Sequence, residues 1–435
     1  MAHFSRRRFL MTAAATTATT FLFHGCTNTN QQQASQTAQP TTMAETPETT
    51  TAKLGFIALT DAAPLIIAKE KGLFAKYGMP DVEVVKQASW GVTRDNLVLG
   101  SEGGGIDGAH ILTPMPYLMT TGTITSGKKV PMYILARLNT NGQGIVLANA
   151  YKELKVSTDS SPLKKAFAKA RAAGKEVKVA VTFPGGTHDL WMRYWLAAGG
   201  INPEKDVSLI VVPPPQMVAN MKTGTMEAFC VGEPWPLQAV NQKVGVGAIT
   251  TGEFWKDHPE KSLALRADWV DKHPKAAKAI LMAVMEAQQW CDKDANKPEM
   301  AKILSKREWL KAPVEDILDR SLGKFDFGNG RTIEKPEVAM KYWRDTASYP
   351  YQSHELWFLI EEIRWGYLPA DTDTKALIKQ VNREDLWREA AKTLGVPAAE
   401  IPTSTSRGVE KFFDGVAFDP QNPQAYLSSL DLKKV

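Results

Sequence analysis

The sequence predicts an α/β protein of two lobes around a cleft, with a largely helical C-terminal extension. Three observations carry this expectation. Short apolar runs alternate with amphipathic segments in one block of the chain, and the same alternation returns in a second block. Beyond about residue 265 the apolar positions take helical spacing instead. A chain of 435 residues is long enough to bury a core in each of two lobes.

In chain order, "LGFIAL" reads as a strand and Thr60 to Pro64 as a loop. A helix follows, carrying Leu65, Ile66, Ala68, Leu73 and Phe74 and stopping near Gly72 or Gly78. "DVEVVKQ" is the next strand, "SWGVTRDNLVLG" opens a helix, and "GGIDGAHILTP" and "PMYILARL" are further buried strands. The second block reads strand "VKVAVTF", helix 188–198, strand "VSLIVVPP", helix 216–223 and strand "MEAFCVGEP". Strands separated by helices predict parallel sheets. The stretch His273 to Lys293 is an amphipathic helix with Pro274 in its first turn. In "HELWFLIEEIRWGYL" the Trp and Phe positions at helical spacing read as core. No solenoid-like repeat is present.

The amino terminus carries an address. "SRRRFL" precedes a short, Thr-rich apolar segment, the pattern of a twin-arginine export signal and too short for a membrane span. Gly25-Cys26 resembles a lipoprotein cleavage site, which makes residues 1–26 the signal and Cys26 the acylated first residue; a plain cleaved signal is the alternative. Residues 27–51 have no apolar period and read as a flexible tether. With a net charge of only +5 and no basic stripe on any helix, nucleic acid is not an expected partner. Cys230 and Cys291 form no C-x-x-C and read as buried small residues.

Enzyme motifs are missing: no G-x-S-x-G, Walker loop, H-E-x-x-H or strand-to-helix G-x-G-x-x-G occurs. No two histidines stand at metal-ligand spacing on one helix, so neither a metal nor another cofactor is expected. What remains is a set of polar residues where strands end. Thr187 suits an N-cap, and His188 and Asp189 open a helix after "TFPGG". Free N–H groups there suit an anion, although a solvated histidine beside a cap is the ordinary reading. Trp90 lies between a strand and a helix, and Gln143 lies in the turn-rich "NTNGQGIV". Gly232 and Glu233 end the strand "AFCV", and Lys261 precedes an apolar run. Singly, these read as a core tryptophan, a linker glutamine and a surface lysine. Their shared position at strand ends, where α/β sheets bind ligands, argues for a site.

Several long motifs carry a family resemblance. "LGFIALTDAAPLIIAKEKGLFAKYG", "GGIDGAHILTPMPYLMT", "VTFPGGTHDLWMRYWLAAGGI", "VPPPQMVANMKTGTMEAFCVGEPW", "SYPYQSHELWFLIEEIRWGYLPA" and "VNREDLWREAAK" closely resemble the cyanobacterial nitrate- and bicarbonate-binding lipoproteins, the solute receptors of ABC importers. The likeness runs from about Lys53 to Val435. It implies a type II periplasmic-binding fold without catalysis, with 52–150 as the first part of lobe 1, 151–261 as lobe 2, and 262–435 as a return to lobe 1 plus the helical region. It also implies that the ligand is held by Trp90, Gln143, His188, Gly232, Glu233 and Lys261. The partners it implies are nitrate (and nitrite), a permease with its ATPase, and the membrane through the lipid anchor.

Within that family, nitrate receptors read "HPEK" and bicarbonate receptors "HPEE"; this chain reads "HPEK", ending at Lys261. Nitrate is a permanent monoanion with three acceptor oxygens, so a buried site needs donors and one compensating cation. Bicarbonate carries a proton and favours an acceptor or a metal beside it. A bicarbonate receptor assisted by calcium is therefore the alternative. An enzyme with His188 as base and Glu233 as acid is a third reading, but nothing in the sequence supplies a nucleophile or cofactor.

Overall fold

The structure, a computed structural model, describes residues 46–434. The export signal, Cys26 and most of the tether lie outside the described residues.

Ten strands build two five-stranded sheets. The first contains β1 (Thr51–Phe56), β2 (Asp81–Lys86), β3 (Gly108–Leu112), β4 (Met132–Arg137) and β10 (Lys261–Arg266), in the order β2-β1-β3-β10-β4. The second contains β5 (Gln143–Ala148), β6 (Lys178–Val181), β7 (Ser208–Val211), β8 (Ala228–Gly232) and β9 (Gly245–Thr250), in the order β7-β6-β8-β5-β9. The two lobes thus share one topology.

The sheets are mixed, where the alternation of strands and helices predicts purely parallel ones. In the first sheet β10 runs antiparallel to β3 and β4, and in the second β5 runs antiparallel to β8 and β9. The reason lies in the crossings. β5 and β10 are the strands by which the chain passes from one lobe to the other. A strand arriving from the opposite lobe starts at the cleft edge, where the parallel strands finish, and so must run against them. Gln143 and Lys261 are the first residues of these two strands. Each is thereby set level with a strand end: Gln143 opposite Gly232, and Lys261 opposite Leu112.

Gln143 accordingly opens a strand rather than sitting in a turn, and the chain enters the second sheet there, ahead of the expected boundary at 150. The two crossings run side by side. Thr140 bridges Pro259, and Asn141 N–H donates to the His258 carbonyl at 3.1 Å.

Most of the expected helices match closely, at Thr187–Ala198, Met217–Lys222 and Pro274–Cys291. The first strand is displaced: it covers Thr51–Phe56, because Leu59 leads into a short 3-10 turn at Thr60–Ala62. The C-terminal helices pack on both lobes. Helix Pro274–Cys291 lies on Ala63–Glu70 of the first lobe, and Val314–Ser321 lies on Trp235–Asn241 of the second. Trp357 of helix Gln352–Arg364 stacks on Trp191 at 4.7 Å and 17°, while Glu355 of the same helix pairs with buried Arg137 of β4. Such aromatic pairs add ~0.5–1.5 kcal/mol beyond the area they bury. Cys230 and Cys291 are buried and unpaired.

Candidate functional site

The strand ends of both sheets converge on a cluster sealed from solvent. Trp90, Asp61, His110, Gln143, His188, Glu260 and Lys261 are each wholly buried. Local structure explains how each is presented. Ser89 caps helix Trp90–Leu99 by accepting from Val92 N–H at 3.2 Å, which sets Trp90 at its first position. Lys261 is fixed through its backbone: its N–H donates to Asn139 Oδ1 at 3.2 Å and its carbonyl accepts from Leu138 N–H at 2.7 Å.

The Lys261 ammonium is the centre of the cluster. Its Nζ lies 2.7 Å from Glu260 Oε1, 3.0 Å from Asp61 Oδ2 and 3.5 Å from His188 Nε2. Asp61 has two further partners, His110 Nε2 at 2.6 Å and Gln143 Nε2 at 3.3 Å. Because the Gln143 amide nitrogen faces Asp61, its oxygen faces His188 Nε2, at 2.6 Å. His188 Nε2 therefore carries a hydrogen, and Nδ1 meets the Thr182 hydroxyl at 2.5 Å. The Trp90 indole N–H is buried without a hydrogen-bond partner, and Lys261 Nζ stands 5.8 Å from the Trp90 ring centroid.

Charge in this cluster is fixed by neighbours working against burial. Burial opposes ionisation of Asp61, but Lys261 and His110 outweigh it and hold its carboxyl well below the usual carboxylate range. Burial likewise opposes the Lys261 charge, and Asp61 and Glu260 reverse that, raising its pKa. Burial pushes Glu260 up, partly countered by Lys261. His188 is driven well down by burial and then by Lys261, so its imidazole is neutral.

The residues singled out in the sequence are not all placed alike. Trp90, Gln143, His188 and Lys261 come together. Gly232 lies beside them: a Cβ there would stand 2.8 Å from Gln143 Oε1 and 3.2 Å from Asp61 Oδ2. Glu233 contributes backbone, with its N–H donating to the Gly142 carbonyl at 3.0 Å and its carbonyl accepting from Thr60 N–H at 2.7 Å. Its carboxylate faces Arg320 at 3.3 Å, and burial raises its pKa to about 7. It shares no hydrogen bond with His188, so the acid–base pair of the enzyme reading is not assembled. Thr187 is not a helix cap either: the N-cap is Gly186, and the Thr187 hydroxyl donates to Glu260. The carboxylate wins because it is buried and charged.

Asp61, His110, Thr182 and Glu260 were not singled out. Asp61 and Thr182 do follow strands, and Glu260 adjoins Lys261 in "HPEK", so position alone could have found them. His110 could not be found that way, being set within the apolar run "GAHIL". Among the described residues, no group of His, Cys, Asp and Glu could hold a metal, and no helix is long and apolar enough to cross a membrane.

Two lobes of one topology closing on a sealed cluster of donors and carboxylates around Lys261 form a solute receptor of the periplasmic-binding-protein fold, which captures rather than converts its ligand. The chain belongs to the NMT1-like family, whose sequence profile matches residues 45–305. It is 66% identical over 448 residues to the nitrate/nitrite binding protein NrtA of Synechocystis sp., covering the whole of both chains. To the bicarbonate-binding protein CmpA of Synechococcus sp. it is 48% identical over 443 residues, covering 99% of this chain and 98% of that one. The crystal structure of the periplasmic nitrate-binding protein NrtA from Synechocystis superposes with a TM-score of 0.88 at 72% identity, over 89% of this chain and 100% of that one.

Proposed function

We propose that this protein is the periplasmic receptor of a nitrate ABC importer, taking nitrate (and nitrite) into the cleft and delivering it to the permease and its ATPase. The observation that carries the reading is Lys261: one buried ammonium among N–H donors, beside a Trp90 N–H that lacks a partner. A small oxyanion with several acceptor oxygens meets those donors. Trp90, Gln143, His188 and Lys261 bind it through side chains, Gly232 leaves the space, and Glu233 shapes the wall through its backbone. The higher identity to the nitrate/nitrite binding protein than to the bicarbonate-binding one supports the same choice. Export through the twin-arginine signal and acylation of Cys26 hold the receptor at the outer face of the inner membrane.

Calorimetric titration with nitrate and with bicarbonate, each with and without calcium, tests the reading. Saturable one-to-one binding of nitrate without calcium is expected. Binding of bicarbonate alone, or only with calcium, overturns it.

A further inference from the structure

The charges in the cleft do not balance for a bound anion. Asp61 and Glu260 each take three hydrogen bonds as carboxylates and Lys261 is one ammonium; His110 Nδ1 accepts from Ile57 N–H and burial drives His188 down, so with both rings neutral the cluster holds one net negative charge. A nitrate ion adds a second. Nitrate has no proton to give, and the cluster is closed to solvent that could screen the added charge.

The hydrogen bonds point to where the imbalance is relieved. His188 Nε2 already carries a hydrogen, because it faces the Gln143 oxygen. Nδ1 faces a hydroxyl, and a hydroxyl can accept as readily as donate. The imidazole can gain a hydrogen at Nδ1 with the Thr182 hydroxyl rotating to accept it. The carboxylates offer less: Glu260 already accepts from Lys261, Thr187 and Trp191, and Asp61 from Lys261, His110 and Gln143. A proton on either would disrupt those bonds.

We infer that nitrate enters this cleft together with one proton, which His188 takes up at Nδ1 from the buffer acid. The inference rests on the nitrate reading above. The groups facing His188 are Asp61, His110, His258, Glu260 and Lys261. Lys261 opposes the imidazolium, His110 and His258 are neutral, and Asp61 and Glu260, the latter 3.8 Å from Nε2, favour it. An added anion beside Lys261 and His188 tips that balance toward the charged ring. Ion and proton together leave the buried net charge unchanged.

The test is calorimetry of nitrate binding to the wild-type protein at one pH in two buffers of different ionisation enthalpy. The expected result is uptake of about one proton per nitrate, with affinity falling about tenfold per pH unit between pH 6.5 and 7.5. A binding enthalpy that does not depend on buffer overturns the inference while leaving the nitrate reading intact. Absence of nitrate binding in every buffer overturns both. His188→Asn is expected to bind more weakly and take up no proton; one-proton uptake by this variant would move the proton elsewhere and refute His188. If that variant does not fold, nitrogen NMR of wild-type histidines decides. The His188 ring is expected to become imidazolium when nitrate binds, and a ring that stays neutral overturns the assignment.

Discussion

Lys261 Nζ and Asp61 Oδ2 meet at 3.0 Å with both side chains fully buried, one on the strand that returns from the second lobe and the other after the first strand of the chain. The pair holds the ammonium where a ligand must face it. Lys261→Glu would put a third carboxylate beside Asp61 and Glu260. Nitrate binding is expected to fall far beyond tenfold, a loss that needs only ~1.4 kcal/mol, because a charge reversal in a desolvated site costs several times that. Titration of the folded variant checks it; unchanged nitrate affinity would place Lys261 outside the binding contacts. Bicarbonate binding, with or without calcium, is the secondary readout.

On the proposed nitrate reading His188→Ala removes a donor to the ligand, and it strips partners from Gln143 and Thr182. A weakening of nitrate binding by about 1.5–3 kcal/mol is expected for a hydrogen bond to a charged group. The buried setting adds a stability loss of about 1–3 kcal/mol for the groups left unsatisfied, which a surface histidine beside a helix cap would not show. Calorimetry and denaturant unfolding separate the two effects.

Gly232→Ala tests the space beside Gln143. The added methyl would lie 2.8 Å from Gln143 Oε1 and 3.1 Å from Leu59 Cδ2, too close for either to stay put. Nitrate affinity should drop at least tenfold, or ~1.4 kcal/mol, since Gln143 and Asp61 orient His188 and Lys261. Wild-type affinity would show that Gln143 can move without consequence.

Buried His258 and His354 should each weaken the fold in acid, whereas Glu233, raised to about 7, works the other way below neutral pH. Burial holds His258 and His354 neutral, each at about 3, whereas in the unfolded chain they titrate near ~6.5. Below ~6.5 the unfolded state binds more protons than the folded one, so stability is lost as pH falls from there toward 3, by up to ~1.4 kcal/mol per pH unit for each histidine. Scanning calorimetry between pH 7.5 and 5 should show the wild-type Tm falling more steeply than that of His354→Asn; equal slopes would contradict the neutral buried state. Because proton uptake favours ligand binding, nitrate should blunt part of this fall.

Export and anchoring have their own test. Arg6→Lys with Arg7→Lys should leave unprocessed precursor in the cytoplasm, and Cys26→Ser should release the protein from the membrane. Cell fractionation reads both. Normal export of the first variant would remove the twin-arginine reading, and membrane retention of the second would remove lipidation.

The sequence by itself determined the α/β class, the two lobes and most helices, because periodicity is a local property of a chain; strand-end position marked Trp90, Gln143, His188 and Lys261, and the family resemblance joined them into one site. Trp90 and His188 were readable as openings of helices after strands. Gln143 was visible only as a polar residue in a turn-rich stretch, and Lys261 only as one before an apolar run. Their common edge was decided by tertiary structure, since it arises from two crossover strands that run against their sheets. The same is true of charge. Nothing near Asp61 or His110 in sequence reveals that they lie beside Lys261, and Glu260, although adjacent to Lys261, gives no sign in sequence that its carboxylate also ties Trp191 and Thr187. Nor does "VGEPW" reveal that the Glu233 carboxylate faces Arg320 while only its backbone lines the cleft wall. Distances between residues 45 to 200 positions apart decide which groups are paired, and burial decides what each unpaired charge costs. Both depend on how the chain is packed, which no local pattern records.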